Sequence, residues 1–532
     1  MKASESYSYK DLIVNGQKYF NRYHLTKTEI SNICPALIKQ IFDSKFYANL
    51  KEIIIPCHNL GDSGFNFLSA VVKNNQKISK LILDDNQITK KSSKSLGDLL
   101  RTNKAIQTLS LKGNKLGETS GKLIADALEK NSVIEELNLS NNMLEDKGCK
   151  PIFNALGSND KIKRLNMSYN SFTDHATLKL VNSIKRNKHL EKLEINNNLI
   201  GPQGAKVIGE MLKGELVLSF LDISYNGICS DGANYIANGL MVNESLKYFR
   251  FGGNYIKNEG AKILAGMLTA NRKLKKLDLT ESDIDATGAG YFVESLGSNV
   301  SLNTIIFDQN KIENRGASFL AELLKQKSSL KTLNLNKCGI TDEGFLSLSA
   351  ALKANNSLEK ISLDDNSIGP VGAKYLSEVI KVNTKMNSIS LKNNHLGREA
   401  VSILIEWFKK NMTITSLNIS NNPVEASGAK EIAEILKTNL SLEKLYMNNC
   451  KIKDNGIKEI CEMLKINKTL QELEFDENQI TKIGAQSLLE ILKVNSVLVD
   501  VSLQENNIPD EVLKNLSKAL KMNKTISTVV DK

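Results

Sequence analysis

Apolar residues mark this chain off at a fixed interval. Counting from Leu50, an aliphatic or methionine side chain returns at Ile78, Ile106, Ile134, Ile162, Leu190, Leu218, Leu246, Leu274, Leu302, Leu330, Leu358, Met386, Ile414, Leu442, Leu470, Leu498 and Ile526. The step is 28 residues each time, giving seventeen full units and the start of another. Positions 4 and 6 of every unit are apolar, as in Leu137 and Leu139 or Leu473 and Phe475. That alternation predicts a short strand with one buried face. Position 11 is apolar throughout, and a helical pattern follows, as in GAKILAGMLTAN, where Ile263, Leu264, Met267 and Leu268 recur at helical spacing. One strand and one helix per unit are therefore expected.

Three other positions are nearly fixed. Position 9 is Asn in thirteen units, with His58, Ser282, Cys338 and Cys450 as exceptions. A buried Asn there can bond main-chain groups of the turn that would otherwise be unpaired. Position 15 is Gly in twelve units and Ser92, Ser120, Ala176, Ala400 or Val512 in the rest. A small residue lets the helix start lie close to its neighbour. Position 26 is Asn in fifteen units, with Glu215 and Lys327 as exceptions. Asn tolerates the left-handed conformation, so it is expected to close each helix in that form.

The unit L-x-x-L-x-L-x-x-N-x-I followed by a helix resembles the leucine-rich repeat, and its length resembles the ribonuclease-inhibitor-like subclass. The resemblance covers about Leu50 to Val530. It implies an α/β leucine-rich-repeat solenoid, a right-handed horseshoe with a parallel sheet on the concave face and helices on the convex face. Cys in the Asn slot is a known substitute in such repeats. One unit cannot bury its own apolar face, so units stabilise by stacking. Residues 50–525 are expected to form one solenoid, residues 1–49 an amino-terminal helical cap with a helix opening near Thr26, and residues 526–532 an edge strand. An uncovered edge invites pairing, so either a partner or second copy covers Ile526, Val529 and Val530, or Lys532 and the preceding helix suffice to protect them.

Composition narrows the chemistry. Net charge is +11, a mild bias on 532 residues that selects no partner class. Seven scattered cysteines, with no C-x-x-C pair, argue against a disulfide framework or zinc site and for a reducing interior compartment. The amino terminus lacks the apolar core of a secretory signal. No apolar run reaches the roughly 18 residues of a membrane span, so no membrane partner is expected. The chain has no P-loop, H-E-x-x-H or G-x-S-x-G motif. The five histidines are dispersed, and His58 sits in an Asn slot. No enzyme activity, cofactor, metal or small-molecule substrate is expected.

Binding energy is expected in three places. Strand positions 3, 5, 7 and 8 should face the concave side, where Arg164, Tyr169, Phe220, Tyr225, Tyr248 and Arg250 gather the residue types enriched at interface hot spots, local packing between rings being the alternative reading. Glu472, Glu474, Asp476, Glu477, Asp500 and Glu505 form an acidic inner patch, read either as a surface whose mutual repulsion a basic partner would relieve or as a solvated acidic rim. Position 24 is Lys in eight consecutive units, at Lys325, Lys353, Lys381, Lys409, Lys437, Lys465, Lys493 and Lys521. That row reads as a basic outer ridge for an acidic filament surface, or as lysines complementing helix dipoles.

The function these features imply is a non-catalytic scaffold binding other proteins within a large assembly. Long repeat chains of this subclass are frequent in ciliary axonemes, so the resemblance implies a cytoplasmic, cytoskeletal or axonemal setting. Two alternatives stand beside it. Ran GTPase-activating proteins are similar in repeat type, but their strongly acidic carboxyl-terminal segment is absent here, and no catalytic Arg or Asn can be assigned by motif. Enzyme inhibitors of the subclass tend to be acidic and Cys-rich, unlike this chain. Nucleic acid is disfavoured, because no groove of interleaved basic and aromatic residues is apparent.

Overall fold

The computed structural model describes residues 13–14, 17–18, 50–326, 329–522 and 528–530. They divide into two compact units, Met1–Ile256 with Ala270–Lys275, and Lys257–Thr269 with Lys276–Lys532.

In the first unit eight three-residue strands, from Glu52–Ile54 to Tyr248–Arg250, alternate with helices. Each strand pairs in parallel with the next, with residues 28 apart in register, such as Glu52 with Lys80 and Phe220 with Tyr248. The second unit repeats the scheme with ten strands, Lys276–Asp278 to Thr528–Val530. The last pairs Val529 beside Val501, so the expected edge strand is in register. At the other end, Ile13–Val14 lies antiparallel to Ile53–Ile54 and to Gln17–Lys18. The described part of the expected helical cap is thus a hairpin extending the sheet, while the expected helix near Thr26 lies outside the described residues.

The period fixes the core. Positions 4, 6 and 11 are buried, for example Leu277, Leu279 and Ile284 at 0% exposure. Small residues at position 15 permit close approach, as expected: a β-carbon at Gly316 would meet the Cα of Ala286 at 3.1 Å.

Asparagine 9 does what its position predicts. Asn226 donates from Nδ2 to the carbonyls of Ile195 at 3.0 Å, Ile223 at 3.0 Å and Ser224 at 3.1 Å, while its own N–H donates to Oδ1 of Asn254 at 2.9 Å. The bonds link successive turns into a ladder. Cys338 and Cys450 keep half of the role, their thiols donating to Phe307 O and Ile419 O at 3.3 Å.

Asparagine 26 differs from expectation. Asn103 has φ −70° and ψ 132°, and Asn243, Asn299 and Asn383 are also extended rather than left-handed. The reason is that its side chain supplies the closure. In Asn439, Nδ2 donates to Phe408 O at 2.7 Å and Asn411 O at 3.2 Å, while Oδ1 accepts from Ser441 N at 3.0 Å and Leu442 N at 2.8 Å. An extended backbone is what lets one amide reach both sets of groups. Left-handed residues lie instead in the turn after the strand, at position 8 in every unit from Cys57 to Glu505, where φ runs from 49° to 68°, and in many units also at position 10 or 12, such as Met143 and Glu145.

Candidate protein-binding surfaces

On the open face of the first unit, parallel pairing brings Lys192, Phe220 and Tyr248 side by side, with Glu194, Asp222 and Arg250 two residues further along. Lys192 Nζ stands 4.9 Å from the Phe220 ring centre, Arg250 Cζ 5.5 Å, and the Tyr248 ring 6.5 Å. Two cations and a ring thus cover Phe220, which is only 7% exposed. Phe220 is the floor of the patch rather than its contact surface. Tyr248, Tyr225 and Tyr169 remain exposed.

Arg250 has a second contact, with NH1 3.6 Å from Oδ2 of Asp222. Burial pushes the Asp222 carboxyl above its ordinary range, against the Ser224 hydrogen bonds and the Arg250 charge. The Nε of Arg250 is buried without a hydrogen-bond partner among the described residues. Tyr169 and Tyr225 occupy left-handed turn positions, at φ 56° and 53°, with Asn197 in the intervening repeat. Arg164 lies beside Lys192 in the sheet and pairs with Glu136 at 3.3 Å. The expected group therefore resolves into a packed centre of Phe220, Tyr248 and Arg250, with Tyr225, Tyr169 and Arg164 around it. Lys192, Glu194 and Asp222 were missed, although positions 3 and 5 of adjoining units already placed them there. Tyr255, also exposed, follows the same turn.

The acidic patch of the second unit is largely answered from within. Glu472 accepts from Tyr446 Oη at 2.8 Å and is paired with Lys444. Glu474 accepts from Asn448 Nδ2 at 2.7 Å. Asp476 Oδ1 accepts from Ser502 Oγ and Gln504 N, both at 2.6 Å. Burial raises the Glu474 and Asp500 carboxyls, and their acidic neighbours raise them further. An open cleft of about 570 Å³ lies between Asp476, Glu477, Gln504 and Glu505, with Asn449, Gln479 and Asn507 at its border. It leaves Glu477 and Glu505, on left-handed turns, facing one polar space.

Asp476 belongs to a second ladder, at position 7. Asp308 accepts from Asn336 N at 2.9 Å, Asn336 Oδ1 accepts from Asp364 N at 2.8 Å, and Asp364 Oδ1 accepts from Lys392 N at 2.8 Å. Aspartate and asparagine alternate here in one structural role.

The outer lysines keep their spacing, but five of the eight carry a charge answered by a glutamate. Lys325, Lys437, Lys465 and Lys493 pair with Glu322, Glu434, Glu462 and Glu490, one turn earlier, at 2.6–2.7 Å. Lys353 reaches Glu378 at 3.9 Å. Lys381 and Lys409 are exposed in the same row, and the Lys521 side chain lies outside the described residues. The row was legible as lysines, while the glutamates three residues before them were overlooked.

Among the described residues, no cluster of His, Cys, Asp or Glu could hold a metal ion, and no helix is long and apolar enough to cross a membrane.

Known proteins provide the comparison. No curated protein matches the sequence. Among solved structures, the chain is similar to leiomodin-1 actin-binding site 2, with 25% identity over 24% of this chain and 75% of that one, at a TM-score of 0.23. It is similar to a chain of the TLR13–ssRNA13 complex, at 18% identity, 84% and 63% coverage and a TM-score of 0.49. It is also similar to a chain of the yeast Rad7–Elc1 complex, at 15% identity, 69% and 88% coverage and a TM-score of 0.41. The family model described as "Leucine Rich repeat" matches residues 130–153, 186–209, 270–293, 326–349, 354–377, 410–433, 438–461 and 467–489. These eight segments keep the 28-residue phase counted from Leu50 to within one residue, and the chain is a leucine-rich-repeat protein.

Proposed function

We propose that the chain is a non-catalytic scaffold whose partner docks on the open face of the first unit, around Tyr248 and Arg250. The observation that carries this reading is the construction of the patch. Three exposed tyrosines, Tyr169, Tyr225 and Tyr248, stand on the repeats that lead up to an arginine already held against Phe220 and Asp222. Tyrosine supplies contact area with little ordering cost, an arginine already held against a ring has less freedom left to lose, and hot spots concentrate in both. A basic segment docking at Glu477 and Glu505 of the second unit extends the same reading.

The test is capture from cells that make the protein, comparing the intact chain with the Tyr225→Ala, Tyr248→Ala double variant. Specific partners retained by the first and lost by the second support the reading. Retention of every partner by the double variant would remove the patch from consideration. The cytoskeletal or axonemal setting rests on the sequence resemblance, and localisation of the endogenous chain tests it separately. Absence from cytoskeletal and axonemal fractions would end that placement while leaving the docking surface standing.

A further inference from the structure

Five consecutive helix-to-strand loops of the second unit share an unusual composition. Residues 381–385 (KVNTK), 409–413 (KKNMT), 437–441 (KTNLS), 465–469 (KINKT) and 493–497 (KVNSV) hold eight lysines and no acidic residue. Each also displays one aliphatic or methionine side chain to solvent: Val382, Met412, Leu440, Ile466 and Val494 are 50–68% exposed. Of the seven equivalent loops of the first unit, four carry an acid, Glu129, Asp160, Glu215 or Glu244, and the other three, residues 73–77, 101–105 and 185–189, display no exposed large aliphatic side chain.

The row is held rigidly. The asparagine inside each loop is buried and bonds back to the repeat before it: Asn411 to Ile380 O at 2.8 Å, Asn439 to Asn411 O at 3.2 Å, Asn467 to Asn439 O at 3.2 Å and Asn495 to Asn467 O at 3.4 Å. Apolar tips therefore stand at regular intervals along a row roughly 20–40 Å long, judged from strand and helix spacings. Lys437, Lys465 and Lys493 share their charge with glutamates one helical turn away. Lys385, Lys410 and Lys468 are exposed and make no ion pair among the described residues.

Lysine is depleted at protein interfaces, and the tyrosine, tryptophan and arginine of hot spots are absent from these loops. Aliphatic tips interleaved with lysines instead match the boundary of an anionic bilayer, where apolar groups enter the headgroup layer and ammonium groups meet lipid charge. We infer that this loop edge docks peripherally on an anionic phospholipid surface. Contact is by side-chain tips and requires no spanning segment.

The experiment is co-sedimentation of the full chain with vesicles of equimolar phosphatidylserine and phosphatidylcholine, and with vesicles of phosphatidylcholine alone. The chain is expected to pellet with the first, less so as salt rises, and to stay in solution with the second. Lys385→Glu, Lys410→Glu and Lys468→Glu together should weaken partitioning on the order of 100-fold. Met412→Ser, Leu440→Ser and Ile466→Ser should weaken it at least about tenfold without changing the thermal melt. Lys77→Glu, Lys104→Glu and Lys188→Glu, on the equivalent edge of the first unit, should leave it intact. No pelleting with the mixed vesicles, equal pelleting with neutral ones, or equal loss in the two lysine sets would overturn the inference. So would an undiminished serine variant.

Discussion

The ring of Tyr225 occupies the space where residue 253 would carry a β-carbon. A carbon added to Gly253 would lie 2.2 Å from Cδ1 of Tyr225, and Gly253 itself has φ +68°. Two demands meet at one glycine: a left-handed turn and a flat seat for the neighbouring ring. The rigidity of the tyrosine patch depends on a residue with no side chain.

Gly253→Ala is therefore expected to do two things. The left-handed backbone costs an L-residue about 1–2 kcal/mol, and the added methyl must push the Tyr225 ring away. A lower denaturation midpoint together with weaker partner capture is the expected result. Gly117→Ala is the control, because its φ is +69° but nothing lies within 4 Å of the added carbon. It should cost similar stability and leave capture unchanged. Equal capture by both variants would show that the seat beneath Tyr225 does not matter.

At position 7 the ladder supplies its own template for a charge-removing substitution. Asn336 Oδ1 accepts from Ser362 Oγ at 2.7 Å and from Asp364 N, as Asp364 Oδ1 accepts from Ser390 Oγ and Lys392 N. Burial raises the Asp364 carboxyl, the Ser390 and Lys392 bonds oppose the rise, and Asp365 adds to it. A folded state that holds a proton more tightly than the unfolded chain loses stability as pH rises through the window above the ordinary aspartate value. Asp364→Asn keeps the accepting oxygen and removes that loss. The variant should have a higher denaturation midpoint than the parent at pH 7, and the gap should close as pH falls towards about 3. A variant less stable than its parent at neutral pH would refute this account of the ladder.

The position-9 ladder makes a graded prediction. Asn394 accepts from Ile368 N at 3.0 Å and donates to Leu363 O at 2.9 Å. Alanine there strands the Ile368 N–H and removes one of the two donors to Leu363 O, which Asn366 Nδ2 still serves at 3.0 Å, at a cost of about 1–3 kcal/mol. Cysteine should cost less, because Cys338 shows a thiol donating to the equivalent carbonyl, with burial pushing its pKa up to about 12 and keeping it protonated. Midpoints in the order Asn, Cys, Ala are expected, and Cys equal to Ala would contradict the thiol's role.

These ladders also mark where the sequence was sufficient. Position 9 was readable because Asn has few reasons to recur in a buried turn, and its bonds are the ones its spacing implies. Position 26 misled because the same residue type satisfies two rules: Asn tolerates left-handed backbone, and Asn closes helix ends through its side chain. Only coordinates separate them. Phe220 was misjudged since position 3 implies exposure, while the side chains covering it come from the repeats on either side, the cation Lys192 from one and the ring of Tyr248 with the cation Arg250 from the other. The apolar loop edge went unread for a different reason. A search for contiguous apolar runs passes over Val382, Met412 and Leu440, which are neighbours only because the repeats stack.

Arg250 offers the last test. Its guanidinium covers Phe220 at 5.5 Å and faces Oδ2 of Asp222 at 3.6 Å, so its removal uncovers a ring and leaves a buried carboxylate without its cation. Burial already raises Asp222, and the Arg250 charge is one of the groups opposing that rise. Without it the carboxyl moves higher still, so the folded state of Arg250→Ala pays more for ionising Asp222 than the unfolded chain does. The loss should be larger at pH 7, about 1–2 kcal/mol given the half-exposed arginine, and smaller at pH 4, where protonation relieves the buried charge. Adding Asp222→Asn to Arg250→Ala should recover part of the neutral-pH loss. Failure of that rescue would mean that arginine serves the ring alone, and the patch would then be organised by Phe220 without help from the ion pair.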